Sequence, residues 1–386
     1  MKGNLLIMHG GAPTAVINAS LYGVIKEAKR HSEIDRILAS DGGTGGFLEG
    51  KIIDLTDIPQ EKLDLLPQTP GSAIGTSRDC LKAEDYPLIA GKLEVLGITF
   101  VLMTGGNGTM DTCKKLSDAC LGRNIVVCGI PKTMDNDLSK TDHSPGFASA
   151  ARYLAGSVRE VAQDVKGLAI HVVVVEAFGR DAGWLAASSV LAREQDGDAP
   201  HMILCPETAF DEEAFLSRVK SLYEEKRGVV VVASEGLRYK DGTPIVEPIF
   251  TVGRATYFGD VSAYLAQLII KKLGIKARSE KPGILGRSSS AWMSTVDRDE
   301  AIACGREAVK LVISGKHAYM TAIERVSTEP YEFRIISIPI DDEVIKARVL
   351  PASYIDAEHF DIDPMYGTWL SPLVGGALGS FISFRK

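Results

Sequence analysis

The feature that most constrains how this chain folds is a series of short, continuous apolar runs, each closed by glycine or a polar turn and then followed by a helical pattern. Residues 5–8 run into His9-Gly10-Gly11, and residues 12–29 then read as helix. Residues 98–103 run into Thr104-Gly105-Gly106-Asn107-Gly108-Thr109, with helix expected over 110–120. Residues 125–130 meet Pro131-Lys132-Thr133-Met134-Asp135-Asn136-Asp137. Residues 172–175 lead to Phe178-Gly179-Arg180 and a helix-like 184–193, and residues 229–233 are followed by Ser234-Glu235-Gly236. β-Branched runs without alternation suit strands buried on both faces of a parallel sheet, with helices as crossovers. The expected class is α/β, in which ligands sit beyond the carboxyl ends of the strands. A glycine in one βα turn is ordinary; five strand exits carrying Gly, Asp, Arg or Glu point together to a ligand crest.

Composition narrows the function. At ~150 residues per domain, 386 residues give about two to three domains, and 45% hydrophobic with 24% charged residues is an ordinary globular balance. With 43 basic against 50 acidic residues, net −7, and no concentrated basic run, neither nucleic acid nor a membrane surface is an expected partner. The longest apolar runs are about five residues, against the ~20 of a spanning helix, and the first eight residues are too short an apolar stretch for a signal peptide. Six cysteines without a C-x-x-C pair and seven histidines without H-E-x-x-H lead us to expect reduced thiols, a cytoplasmic setting and no structural zinc.

Several motifs carry chemistry. Gly105-Gly106-Asn107-Gly108-Thr109, between a strand and a helix, reads as a phosphate-binding loop or a tight turn; residues without Cβ let backbone N–H groups approach an anion at a helix N-terminus. Gly10-Gly11 opens the first helical segment in a similar way. In Pro131–Asp137 two carboxylates two residues apart follow a lysine, which suits one acting on a hydroxyl proton while the other handles charge or a metal; an Asx-rich capping turn is the structural alternative. Arg180, among glycines at a strand end, offers a guanidinium fork to phosphate oxygens or pairs with Asp181 or another local acid. Arg278 and Arg287 flank Lys281-Pro282-Gly283-Ile284-Leu285-Gly286, by itself a basic solvated loop. Gly45-Gly46-Phe47-Leu48-Glu49-Gly50-Lys51 nearly spells a Walker A loop, but Ile52 stands where Ser or Thr is needed, and the continuation reads as strand.

These motifs, in this order over roughly residues 1–310, resemble the 6-phosphofructokinase family. The opening Gly10-Gly11-Ala12-Pro13-Thr14-Ala15-Val16-Ile17-Asn18-Ala19-Ser20 and the run Thr141-Asp142-His143-Ser144-Pro145-Gly146-Phe147 resemble its branch rich in pyrophosphate-using members. The resemblance implies two Rossmann-like lobes with mainly parallel sheets and the active site in the cleft between them. Residues 1–145 would bind the phosphoryl donor and 146–285 the sugar phosphate, with 286–386 a crossover segment and C-terminal extension. It implies phosphoryl transfer to the 1-hydroxyl of fructose 6-phosphate in a homodimer or homotetramer, with Mg2+ as cofactor. Asp135 would be the base, with Asp137 assisting, and Lys132 and Arg180 would stabilise charge. Gly10, Gly11, Arg78, Gly106, Asn107, Gly108 and Thr109 would line the donor site, with Asn107 and Asp135 near the metal. Thr133, Phe178, Gly179, Glu235, Arg278 and Arg287 would hold the sugar phosphate, one arginine reaching across a subunit interface.

Three departures stand out in that frame. Asn107 replaces a frequent metal-binding Asp, which shifts Mg2+ binding toward the donor's own phosphates. His171 lies where a second-subunit Arg often serves the sugar phosphate, and either substitutes for it or is a core histidine. Ile284 replaces a frequent sugar-binding His. The resemblance further implies that Gly108 leaves room for the α-phosphate of a nucleotide, whereas Lys132 is typical of pyrophosphate users. ATP is the expected donor on that steric ground, with pyrophosphate the alternative. The competing readings are an NAD-kinase-like or lipid-kinase-like enzyme, opposed by Asp135, Asp137 and Arg180, and a regulator that binds sugar phosphate or nucleotide without catalysis.

Overall fold

Strand β1 (Gly3–His9) shows why the apolar runs lack alternation: Leu5 and Ile7 join one hydrophobic cluster while Leu6 and Met8 join another. The first cluster takes in Leu21 and Val24 from the helix Ile17–Ala28 and Ala308 and Val312 from the helix Thr295–Ile313. The second takes in Ile89 and Leu93 from the helix Asp85–Val95 and Met110 and Leu116 from the helix Asn107–Ala119. Successive strand residues face opposite sides, so a strand covered on both must be apolar throughout. A Cβ on Gly23 would lie 2.2 Å from the Ile302 carbonyl oxygen, and one on Gly305 2.2 Å from that of Ser20, so glycine at both positions lets two of these helices cross backbone to backbone.

The computed structural model describes residues 1–252 and 255–384. The chain divides into two units, the first Met1–Ser149 with Arg287–Arg348, the second Ala150–Gly286 with everything from Val349 onward. The segment 286–386, expected as a crossover and extension, is thus shared out between them.

In the first unit β2 (Ile34–Ser40), β3 (Ile52–Asp54), β4 (Ile98–Gly105) and β5 (Val126–Pro131) follow β1. The second unit holds β6 (Val172–Ala177), β7 (Met202–Leu204), β8 (Val229–Ser234), the hairpin β9 (Pro248–Val252) and β10 (Ala255–Phe258), and β11 (Ala277–Glu280). The chain then returns β12 (Tyr319–Thr328) and β13 (Tyr331–Pro339) to the first sheet. That sheet has seven strands in the order β13-β12-β5-β4-β1-β2-β3, parallel except at its two edge pairs. The second is four parallel strands in the order β11-β6-β8-β7. This is the expected α/β class with mostly parallel sheets.

Local differences have physical reasons. The helix expected over 12–29 begins at Ile17, because the segment before it is drawn into a loop whose Ala12 carbonyl accepts from Lys132 Nζ. The helix expected over 110–120 starts at Asn107, directly after the glycines. The near-Walker segment folds as a short helix, Gly43–Leu48, running into β3. Five cysteines are buried, Cys80 is exposed, and all six are free thiols. No helix among the described residues is long and apolar enough to cross a membrane.

Candidate active site

Register places three of the singled-out segments side by side. His9 of β1 lies beside Thr104 of β4, and Gly105 of β4 beside Pro131 of β5, so the exits at Gly10-Gly11, Gly105–Thr109 and Lys132–Asp137 share one edge of the first sheet. Gly10 N–H donates to the Thr104 carbonyl at 2.9 Å and Lys132 N–H to that of Gly105 at 3.0 Å, extending the ladder past the strands. A Cβ on Gly105 would lie 2.1 Å from Thr109 Oγ1 and one on Gly10 2.4 Å from it, so both glycines are required to close over the first turn of the helix Asn107–Ala119. Gly108 differs: a Cβ there would meet nothing within 4 Å.

The turn after β5 orients its two carboxylates differently. Thr133 Oγ1 accepts from Asp135 N–H at 3.1 Å and donates to Asp137 Oδ1 at 3.0 Å, while Asn107 Nδ2 donates to Asp137 Oδ2 at 2.9 Å. Both oxygens of Asp137 are therefore engaged inside the protein. Asp135 is half-buried, with its backbone tied to the same threonine. Between them Asn136 is fully buried with φ 54°, a left-handed conformation that asparagine tolerates better than most residues. Because Asp137 can only accept, the Asn107 amide must present nitrogen to it, which turns Asn107 Oδ1 the other way. That oxygen is buried with no hydrogen-bond partner. An orphaned amide oxygen fits a hard cation, whereas no group of three or more His, Cys, Asp or Glu among the described residues could hold a metal unaided.

Lys132 is 4% exposed and its Nζ donates to the Ala12 carbonyl at 2.7 Å. Burial pushes its ammonium down to about 8, against the pull of Asp135 and Asp137 and helped by Arg78 and Arg287. Arg287 thus belongs electrostatically to this edge of the first unit. His9 is buried beside them with Nδ1 2.8 Å from Ser72 Oγ, and burial and Lys132 hold it down to about 3, so it stays neutral. The loop carrying Arg78 docks on the glycines through Gly11 N–H to the Ser77 carbonyl at 2.9 Å and Thr76 Oγ1 to the Gly11 carbonyl at 2.7 Å.

In the second unit the adjacent strands β6 and β8 bring two more of the singled-out segments together. Glu235 N–H donates to the Ala177 carbonyl at 2.9 Å, and Arg180 N–H donates to Glu235 Oε1 at 3.3 Å. A Cβ on Gly236 would lie 1.5 Å from the Arg180 carbonyl oxygen, and one on Gly179 2.4 Å from that of Ala182, so glycine is obligatory at both. Arg180 is exposed with φ 50°, and Phe178 beside it is half-buried. The alternative pairing of Arg180 with Asp181 is not what forms: Asp181 takes Arg238 Nη2 at 2.9 Å. Burial raises the Glu235 carboxyl above its usual range, opposed by the Arg180 and Gly179 N–H groups and the Arg180 charge.

Two residues are not brought to that end of the sheet. Arg278 of β11 pairs with Val173, near the start of β6, and the buried His171 precedes that strand. Arg180 lies seven residues further along the chain than Val173, and at ~3.3 Å per strand residue the six-residue strand β6 spans about 20 Å. Burial and the nearby Arg278 and Lys276 lower the His171 pKa. Lys281, passed over in the sequence, does reach the carboxyl end: its Nζ lies 2.6 Å from Glu176 Oε1, whose carboxyl burial pushes up to about 6. Its signal was only a lysine in a loop.

The phosphofructokinase family model matches residues 4–312. The pyrophosphate–fructose 6-phosphate 1-phosphotransferase of Xanthomonas campestris pv. campestris is 38% identical, covering 97% of this chain and 92% of its own. That of Halomonas elongata is 34% identical over the same shares. A crystal structure of a pyrophosphate-dependent phosphofructokinase from Marinobacter aquaeolei superposes with a TM-score of 0.88 at 33% identity, covering all of this chain and 94% of that one.

Proposed function

Because this chain belongs to the phosphofructokinase family of phosphotransferases, we propose that it transfers a phosphoryl group from pyrophosphate to the 1-hydroxyl of fructose 6-phosphate, giving fructose 1,6-bisphosphate and phosphate. The observation that carries the reading is the turn after β5, where Thr133 and Asn107 hold both oxygens of Asp137 and Asp135 stands two residues earlier, close enough to the buried Lys132 to act on its charge. Pyrophosphate replaces the ATP expected from Gly108, because the Xanthomonas and Halomonas relatives, which cover 97% of this chain, carry pyrophosphate in their names.

Phosphoryl transfer asks a protein chiefly for positioning and charge stabilisation. Asp135 takes the proton of the 1-hydroxyl as its oxygen attacks phosphorus, and the phosphoanhydride bond breaks to release phosphate. Lys132, Arg78 and the N–H groups of Gly106, Asn107 and Gly108 hold the donor's oxygens, while Gly10, Gly11 and Thr109, whose own N–H groups are spent on the Thr104, Ser77 and Gly106 carbonyls, line the site. Arg180 offers charge to the transferring group, and Glu235 and Phe178 contact the sugar. Arg287, and from another subunit Arg278, take its 6-phosphate. Asn107 Oδ1 and Asp135 are the oxygens that would hold Mg2+, which when bound neutralises phosphate charge.

A second reading, ATP as donor, is favoured by the open space at Gly108. Parallel initial rates with Mg-pyrophosphate and Mg-ATP separate the two. Product from pyrophosphate alone is the expected result; product from ATP alone would transfer the assignment to the second reading, and no product from either with fructose 6-phosphate would end both.

A further inference from the structure

The family-model match ends at residue 312. One side chain from the stretch beyond it reaches the aspartate-bearing turn within the first unit. Arg348 Nε donates to the Asn136 carbonyl at 2.9 Å, Nη1 to that of Thr141 at 2.8 Å, and Nη2 to Asn136 Oδ1 and to the Asp142 carbonyl, both at 2.9 Å. The Arg348 backbone N–H donates to the Asp137 carbonyl at 2.9 Å. The guanidinium therefore binds the residue lying between the two carboxylates, and the backbone beside it binds the second carboxylate's own peptide.

Neighbouring parts of the same stretch brace the turn from outside. Asp142 N–H donates to the Ile323 carbonyl at 2.9 Å, and Ile323 N–H to Thr141 Oγ1 at 2.9 Å. Arg325 Nη2 pairs with Asp142 Oδ1 at 3.0 Å, and Lys140 Nζ with Asp341 Oδ2 at 2.6 Å. The left-handed Asn136, whose conformation sets the angle between Asp135 and Asp137, has its side-chain oxygen shared between Ser144 N–H at 3.0 Å and Arg348.

We propose that Arg348 is a positioning residue for phosphoryl transfer, and that the segment 319–348 serves to fix the conformation in which the turn after β5 presents its carboxylates. The inference rests on the reading of Asp135 as the base. These contacts of Arg348 go to backbone carbonyls and to the Asn136 amide, so its loss acts on the alignment of the turn. A misplacement of about 1 Å at a reacting group can cost ~10²-fold in rate.

The test is steady-state kinetics of the full chain and of Arg348→Ala and Arg348→Lys, with added guanidinium as a probe. We expect kcat of Arg348→Ala to fall about 10- to 100-fold, with KM for both substrates within about threefold of the parent. Guanidinium should restore part of the loss, and Arg348→Lys should fall between. Folded variants with parental kcat, or with kcat and KM degraded together and no response to guanidinium, overturn the proposal. Should Arg348→Ala fail to fold, the same constants for Arg348→Lys decide. A parent chain inactive with both donors would instead remove the functional reading, and this inference with it.

Discussion

Asn107 Nδ2 donates to Asp137 Oδ2 at 2.9 Å, joining the first residue of one strand-exit helix to the second carboxylate of the next exit. An aspartate at position 107 would set two carboxylates against each other here, whereas the amide supplies a donor to one side and an acceptor to the other. The single side chain thus orients Asp137 and leaves its own oxygen buried without a partner, the oxygen to which the proposed function assigns Mg2+.

Asn107→Leu should therefore keep the fold and lower kcat by at least about 10- to 100-fold, the loss found when even an outer partner of a metal site is removed. It should also raise the Mg2+ concentration needed for half-maximal rate. Titration of activity against Mg2+ checks this; an unchanged Mg2+ requirement would separate Asn107 from the cation.

Asp135→Ala should abolish turnover, by at least the ~10²–10⁴-fold typical of a positioned base, while fructose 6-phosphate still binds. Calorimetric binding beside kinetics makes the distinction. Near-normal turnover would show that another group takes the proton.

Gly108→Asp tests the donor. A Cβ at this position meets nothing within 4 Å, so the substitution has room and should not disturb the helix that follows. Its carboxylate would stand where the resemblance places a nucleotide's α-phosphate, so any ATP-supported rate should fall by an order of magnitude or more while the pyrophosphate-supported rate holds. ATP kinetics that do not move would remove the steric argument.

Much of this was legible in the chain. Continuous β-branched runs such as residues 172–175 and 229–233 mark strands covered on both faces, and they form β6 and β8. The glycines at 10 and 105 read as openings for a phosphate or as tight turns, and what they are seen to admit is the Thr109 side chain. Residues whose roles depend on distant pairings were not legible. Arg348 meets Asn136 across 212 positions, and Arg278 sits at the far end of its sheet because β11 pairs with β6 in a register that no local pattern states. Lys281 gives the same lesson, since its meaning comes from Glu176.

Lys132 predicts an alkaline limit on donor use. Burial, with Arg78 and Arg287, brings its ammonium down to about 8 against Asp135 and Asp137, so the free enzyme loses this charge as pH rises through that value. The kcat/KM for pyrophosphate should fall about tenfold per pH unit above it, and the alkaline fall should vanish in Lys132→Met, whose KM for pyrophosphate is raised throughout. The fall is not unfolding: between about 8 and 10.5 the unfolded chain keeps a proton the native lysine has released, so this group stabilises the fold as pH rises. A flat parental profile to pH 9.5 would refute the role.

His143 predicts a stability change in a different window. It is fully buried, with Nδ1 2.8 Å from Asp142 Oδ1 and Nε2 2.7 Å from Glu300 Oε2. Burial alone would lower its pKa, but Glu300 and Asp142 prevail and raise it from 6.5 to about 9. A folded-state value above the unfolded one means the native chain holds the extra proton, so the contribution is complete below about 6.5 and drains away as pH rises through about 9. The Tm should decline across that interval, and His143→Gln should show a lower Tm at pH 6 with a flatter course above it. Loss of one partner from a buried ion pair costs about 3–5 kcal/mol. Scanning calorimetry from pH 6 to 9.5 on both proteins decides, and parallel Tm curves for the two would mean that the imidazole is not charged between its carboxylates.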